Sequence, residues 1–194
     1  MQIKGKGFTL IELLIVIGIL AILATITILV LNPAQLFAQA RDSQRITDLS
    51  TARSALSLYL STATSPDLGD DSGGTFTCGT HFATSLDGAA STFTASTANA
   101  AHSGESAVDG SGWIAVDLSS TSGGSPLATL PTDPINSSSF YYGYSCDQTE
   151  LTFELNAIME STKYTNGGDD DVESTDGGNN DDVYEVGSDP GLNL

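Results

Sequence analysis

The chain has 194 residues and a formal net charge of −18, from 24 acidic and only 6 basic residues. That length suits one compact domain plus an appendage, and the scarcity of Lys and Arg argues against direct binding to nucleic acid, which depends on neutralising phosphates. Apolar residues make up 40% of the chain but are densest at the extreme N-terminus, so a separate domain must build its core from scattered aromatics and aliphatics.

Residues 1–7 form a short leader with Lys4, Lys6 and Gly7. Residues 8–31, FTLIELLIVIGILAILATITILVL, are almost continuously apolar. The run is long enough to cross a bilayer core, which takes about 20 helical residues. The preceding positive charges favour keeping that end in the cytoplasm. A cleaved secretory signal would have a shorter apolar region followed by a small-residue cleavage site, and no such site follows Leu31.

Asn32-Pro33 predicts a kink or local break, because the residue before proline avoids the helical region and proline removes a backbone donor. From residue 32 to 62 the pattern is amphipathic. Leu36, Ala40, Ile46, Leu49, Ala52, Leu56, Tyr59 and Leu60 recur at steps of three and four, and Arg41, Asp42, Gln44, Arg45, Asp48 and Arg53 supply the polar surface. A helix over 8–62 would be roughly 80 Å long at 1.5 Å per residue. A body of this size cannot cover it, so its first half is expected to project into lipid or other subunits.

Residues 63–194 read as a globular head. Ser61–Gly74, with Pro66, Asp70-Asp71 and Gly73-Gly74, is a predicted loop. Strands are expected at Thr75–Cys78, Trp113–Leu118, Phe140–Tyr144, Leu151–Ala157 and Asp182–Val186, with an irregular excursion over Asp87–Gly112. The expected class is α+β, a long N-terminal helix on a small antiparallel sheet.

Cys78 and Cys146 lack CxxC spacing and a nearby histidine cluster, so zinc is not expected. One disulfide suits an oxidising compartment, and two unpaired thiols would suit a reducing one. His81 and His102 come with no third orienting group, the serines form no nucleophile elbow, and no phosphate-cradling glycine loop is present. The chain reads as structural, not enzymatic.

The segment Lys6–Ala24, KGFTLIELLIVIGILAILA, resembles the class III signal of type IV pilins and type II secretion pseudopilins. The resemblance implies a prepilin peptidase cutting between Gly7 and Phe8, N-methylation of Phe8, and a role for Glu12 at the family's glutamate position. It also implies the type IV pilin fold and polymerisation with identical or related subunits by assembly machinery. The expected location is the inner or cell membrane before assembly, and an extracellular filament or periplasmic pseudopilus afterwards. The alternatives to a pilus-like filament subunit are a pseudopilin of a type II secretion system and a membrane-anchored binding module that never polymerises.

The residues support this independently. Glu12 is a carboxylate in a lipid-compatible run, which marks function or a polar partner unless it only snorkels to the interface. Cleavage at Gly7 would create a positive amine on Phe8 that a neighbour's Glu12 could neutralise in a low-dielectric core. Gly18 with Ala21 or Ala24 offers close helix approach, or is ordinary transmembrane composition.

In the head, GWIAVDLSS (Gly112–Ser120) and the stretch holding Leu130, Pro131, Asp133, Pro134, Tyr141, Tyr142 and Tyr144 resemble pseudopilin and pilin-like domains more weakly, and also read as a turn before a strand. No cofactor is certain. Asp169, Asp170, Asp171, Glu173, Asp176, Asp181 and Asp182 are candidate calcium ligands by oxygen density, in a segment that lacks EF-hand spacing and reads equally as a solvated acidic surface.

Overall fold

The structure, a computed structural model, describes residues 7–69, 76–99 and 104–194. Its chain divides into two compact units, Met1–Phe37 and Ala38–Leu194.

Helix α1 spans Leu10–Leu31 and helix α2 spans Pro33–Thr62. The break falls at Asn32, which adopts the left-handed conformation at φ 37° and ψ 76°. Its position before proline bars it from the right-handed helix, and Asn tolerates the left-handed one. Pro33 then takes the first helical position, where its missing N–H is no loss.

In α1 the large apolar side chains with described surroundings are exposed on every side. A helix that is apolar all round requires lipid or other protein about it. Its two threonines add no unmet polar group, because Thr25 and Thr27 donate their hydroxyls to the carbonyls of Ala21 and Leu23.

The second unit packs α2 on a sheet in the order β2-β1-β3-β4-β5, with β1 His81–Thr84, β2 Ala98–Asn99, β3 Tyr142–Asp147, β4 Thr152–Ala157 and β5 Tyr184–Gly187. Strands β1, β3, β4 and β5 pair antiparallel, and the two-residue β2 adds parallel at the β1 edge. The expected α+β architecture is therefore observed. Leu49, Leu56 and Tyr59 of α2 share a core cluster with Tyr142, Tyr144, Phe153 and Leu155 of the sheet.

Several expectations need correction. The helix face in contact with the core is Ala38, Asp42, Arg45, Leu49, Ala52, Leu56 and Tyr59, with Ala55 beside it. These positions alternate steps of four and three, so the stripe that includes Leu49 runs back onto two charged residues. Asp42 and Arg45 are therefore buried, not surface residues, while Leu36 and Ala40 are exposed.

Trp113–Leu118 is not a strand. It is an irregular run in which Trp113, Ile114, Ala115, Val116 and Leu118 are all fully buried, ending in a 3-10 turn at Leu118–Ser120. Its backbone bonds go to Glu105 and Val108 instead of a sheet edge, and the Trp113 indole N–H donates to the Pro131 carbonyl at 2.9 Å.

Phe76–Thr80 forms a loop and turn, and Thr75 lies outside the described residues, as do 70–74 of the expected loop. Strand β3 begins two residues later than expected, at Tyr142, and β1 and β2 were not anticipated.

Cys78 and Cys146 form a disulfide across a sequence separation of 68, tying that turn to the central strand β3. Closing a loop of this length restricts the unfolded chain by about 4 kcal/mol in the chain-entropy account. The double variant Cys78→Ala, Cys146→Ala is expected to lose about that much in urea denaturation of the full chain in detergent. A loss below about 1 kcal/mol would show that the bridge closes nothing the unfolded state leaves open.

Candidate functional site

The N-terminal junction is built from Gly7, Phe8, Thr9 and Glu12. Thr9 is the N-cap of α1 and forms a reciprocal capping box with Glu12. The Glu12 amide donates to Thr9 Oγ1 at 3.3 Å. In return Glu12 Oε2 accepts from the Thr9 amide at 2.9 Å and from the Thr9 hydroxyl at 2.7 Å.

This arrangement answers two of the donors left open at a helix start. It also turns the Glu12 carboxylate back toward the entry of the helix at Thr9, with Oε2 accepting both bonds from Thr9. The role of Thr9 was missed in reading the sequence, although T-x-x-E ahead of an apolar run is a legible capping signal.

Phe8 is 84% exposed and precedes the cap. A Cβ added at Gly7 would meet no atom within 4 Å, and the same holds at Gly18. The local fold therefore places no steric demand for glycine at either position, and any such demand must come from whatever binds there. Among the described residues Glu12 is the only ionisable side chain from Phe8 to Leu31, and α1 is long and apolar enough to cross a membrane.

The carboxylates of the acidic segment are engaged locally. Asp170 pairs with Lys163 at 2.9 Å. Asp171 accepts from the Gly167 amide and from both the amide and hydroxyl of Ser174, which hold its carboxyl below the usual range. Glu173 is buried and accepts from the amides of Met159 and Asn166 at 3.0 and 2.9 Å. Asp176 accepts from the amides of Gly178 and Glu185. Burial raises the carboxyls of both Glu173 and Asp176. Asp169, Asp181 and Asp182 are exposed. Among the described residues no group of three or more Asp, Glu, His or Cys side chains is gathered so that it could hold a metal ion.

His81 Nδ1 accepts the Thr77 amide at 3.1 Å and its ring lies near Phe76, while neighbouring Cys78 is in the disulfide. His102 lies outside the described residues.

Residues 4–28 match the family described as the prokaryotic N-terminal methylation motif, which spans the whole junction and most of α1. No curated protein and no solved structure matches the chain.

Proposed function

We propose, from the signature of type IV pilin and pseudopilin precursors that residues 4–28 carry, that this chain is the structural subunit of a type IV pilus-like extracellular filament. Prepilin peptidase cuts between Gly7 and Phe8, the new Phe8 amine is methylated, and subunits polymerise through α1. The observation that carries this reading is a helix exposed and apolar on all sides whose one carboxylate, Glu12, is held at the end where cleavage would create an amine.

The same helix face is then satisfied twice, by lipid before assembly and by other copies of α1 afterwards. Nothing has to refold between the two states. Charge pairing adds what apolar packing lacks. Leucines and isoleucines tolerate many axial offsets, whereas an amine and a carboxylate withdrawn from water tolerate few. Glu12 Oε2 is occupied by Thr9, and Oε1 is left to receive the neighbour's amine. Gly7 acts earlier, since a peptidase pocket that receives it can exclude every larger side chain.

Intact-mass measurement of protein extracted from membranes tests the processing step. The expected mass is that of a chain starting at Phe8 and carrying one methyl group, and Gly7→Leu is expected to remain uncut and membrane-bound. A chain still starting at Met1, or cut near Asn32, would overturn the proposal.

A further inference from the structure

The outer face of the sheet, turned away from α2, is polar yet covered. Leu155 and Val186 pack with the core, so by strand alternation Glu154, Asn156 and Glu185 face the other way. Register places Asn156 opposite Glu185, with Glu154 two residues along on the same face. Both glutamates are 1% exposed. Each has one oxygen held by a backbone amide. Glu154 Oε2 accepts from Leu194 and Glu185 Oε2 accepts from Asn180, at 2.9 and 3.0 Å. The two side chains are diagonal neighbours on adjacent strands of this face.

On neighbouring strands of one buried face two like charges would repel strongly, so the pair keeps a proton. Among the described residues neither glutamate belongs to an ion pair. The charged groups around them are Asp176 from the preceding turn, Asp189 from the C-terminal turn, and Arg53 of α2, which lines a cleft with Glu185, Asp176 and Asp189. The segment crossing this face brings Thr92 and Ser96, which carry no charge.

The cover meets at this point. Ser96 and Ser145 share a hydroxyl bond of 2.6 Å, and Asn156 donates to Thr92. The Ala95 amide donates to the Leu194 carbonyl at 2.8 Å, and the Thr94 hydroxyl donates to the Asn193 carbonyl. Leu194 is thus held between the crossing segment and Glu154.

We propose that Glu154 and Glu185 share one proton, and that this O–H···O bond is a pH-sensitive latch holding residues 91–96 and 188–194 over the outer face of the sheet. Loss of the proton to solvent leaves two like charges on one buried face, and the repulsion is relieved by releasing the Leu194 end and wetting the face. Burial raises the carboxyl of Glu154 and, with Glu154 beside it, pushes that of Glu185 up to about 8. Both folded values lie above the unfolded one. The latch therefore contributes fully below the ordinary glutamate range, and its contribution falls as pH rises and is lost through about 8. The inference concerns the head alone and stands or falls separately from filament assembly.

Hydrogen exchange by mass spectrometry on the full chain in detergent, from about pH 6 to about pH 9.5, tests it. Corrected for intrinsic rates, protection of 91–96 and 188–194 is expected to fall about tenfold per pH unit above about 8, with β3 and β4 unchanged. Glu185→Gln, which can still donate to Glu154, is expected to keep the cover protected at high pH. Infrared spectra of the parent near pH 6 should show a carboxylic-acid carbonyl band that disappears with the same midpoint. This measurement decides the question even if the variant fails to fold. Absence of the band, protection independent of pH in the parent, or protection lost on adding a chelator, which would mean a bound cation in place of the proton, would each overturn the latch.

Discussion

Arg45→Ala is expected to destabilise the head by about 3–5 kcal/mol, because it strands two buried carboxylates. Arg45 is fully buried, as are Asp42 and Asp133. Its Nη1 donates to Asp42 Oδ1 at 2.7 Å, and its Nε and Nη2 form a two-pronged contact with Asp133. Phe140 lies against the guanidinium, with Cζ 4.8 Å from the ring centroid. Glu160, which Arg41 also engages, lies 3.6 Å from Nη1. Burial alone would make this guanidinium easier to deprotonate, but the bonds to Asp133 and Asp42 outweigh it and hold the proton more firmly.

A buried ion pair can often be replaced by apolar side chains at little cost. Here that exchange is expected to fail, because the carboxylates also bind backbone. Asp42 accepts the amides of Glu160 and Ser161, and Asp133 accepts those of Ile135 and Asn136. Asp42→Leu, Arg45→Met, Asp133→Leu would leave four amides without acceptors, so the triple variant should be at least as unstable as Arg45→Ala. Urea unfolding of the full chain in detergent, followed by the near-ultraviolet signal of buried Trp113, measures both. A loss under about 1 kcal/mol for Arg45→Ala, or a stabilised triple variant, would show that the cluster is dispensable.

Glu12→Ala is expected to insert normally and assemble poorly, with the ratio of filament to membrane-bound subunit down at least about tenfold, or about 1.4 kcal/mol per contact. Anchoring survives because the apolar run is intact and losing a carboxylate eases insertion. In the proposed filament, what disappears is the partner of a neighbour's Phe8 amine, which would then enter the helical core uncompensated or stay out and disturb the register. The variant also loses half of its capping box, for a local cost of about 1 kcal/mol. Thr9→Ala separates the two effects, since it removes the cap and keeps the carboxylate. If capping were the whole story, the two variants would assemble equally badly. Glu12→Asp keeps the charge on a side chain one methylene shorter and should be intermediate.

Where the chain carries strong one-dimensional signals, sequence and structure agree. The apolar run, the break before Pro33, the LTFELNA strand and the single cysteine pair are all present in the fold. The misses have physical causes. Arg45 and Asp42 read as surface because charge is normally solvated, and only the position of Asp133, 88 residues on from Arg45, makes their burial tolerable. Trp113–Leu118 reads as a strand because an unbroken apolar run fits a doubly buried strand equally well, yet it fills the core without joining the sheet. Strand β1 is four residues of HFAT with no alternation to betray it. At the junction, Glu12 stands out in the sequence as a lone carboxylate in an apolar run, and the structure adds that it caps the helix with Thr9, a pairing the T-x-x-E spacing encodes.

Shearing cells that express the parent chain, then weighing the sheared and membrane fractions by intact mass, tests the central claim most directly. The account predicts that the sheared fraction contains filaments built from a chain that starts at Phe8 with one methyl group, while any Met1-starting precursor stays in the membrane fraction. Correctly cleaved and methylated protein found only as membrane-bound monomer, with no filament in the sheared fraction when the assembly machinery is present, would contradict it.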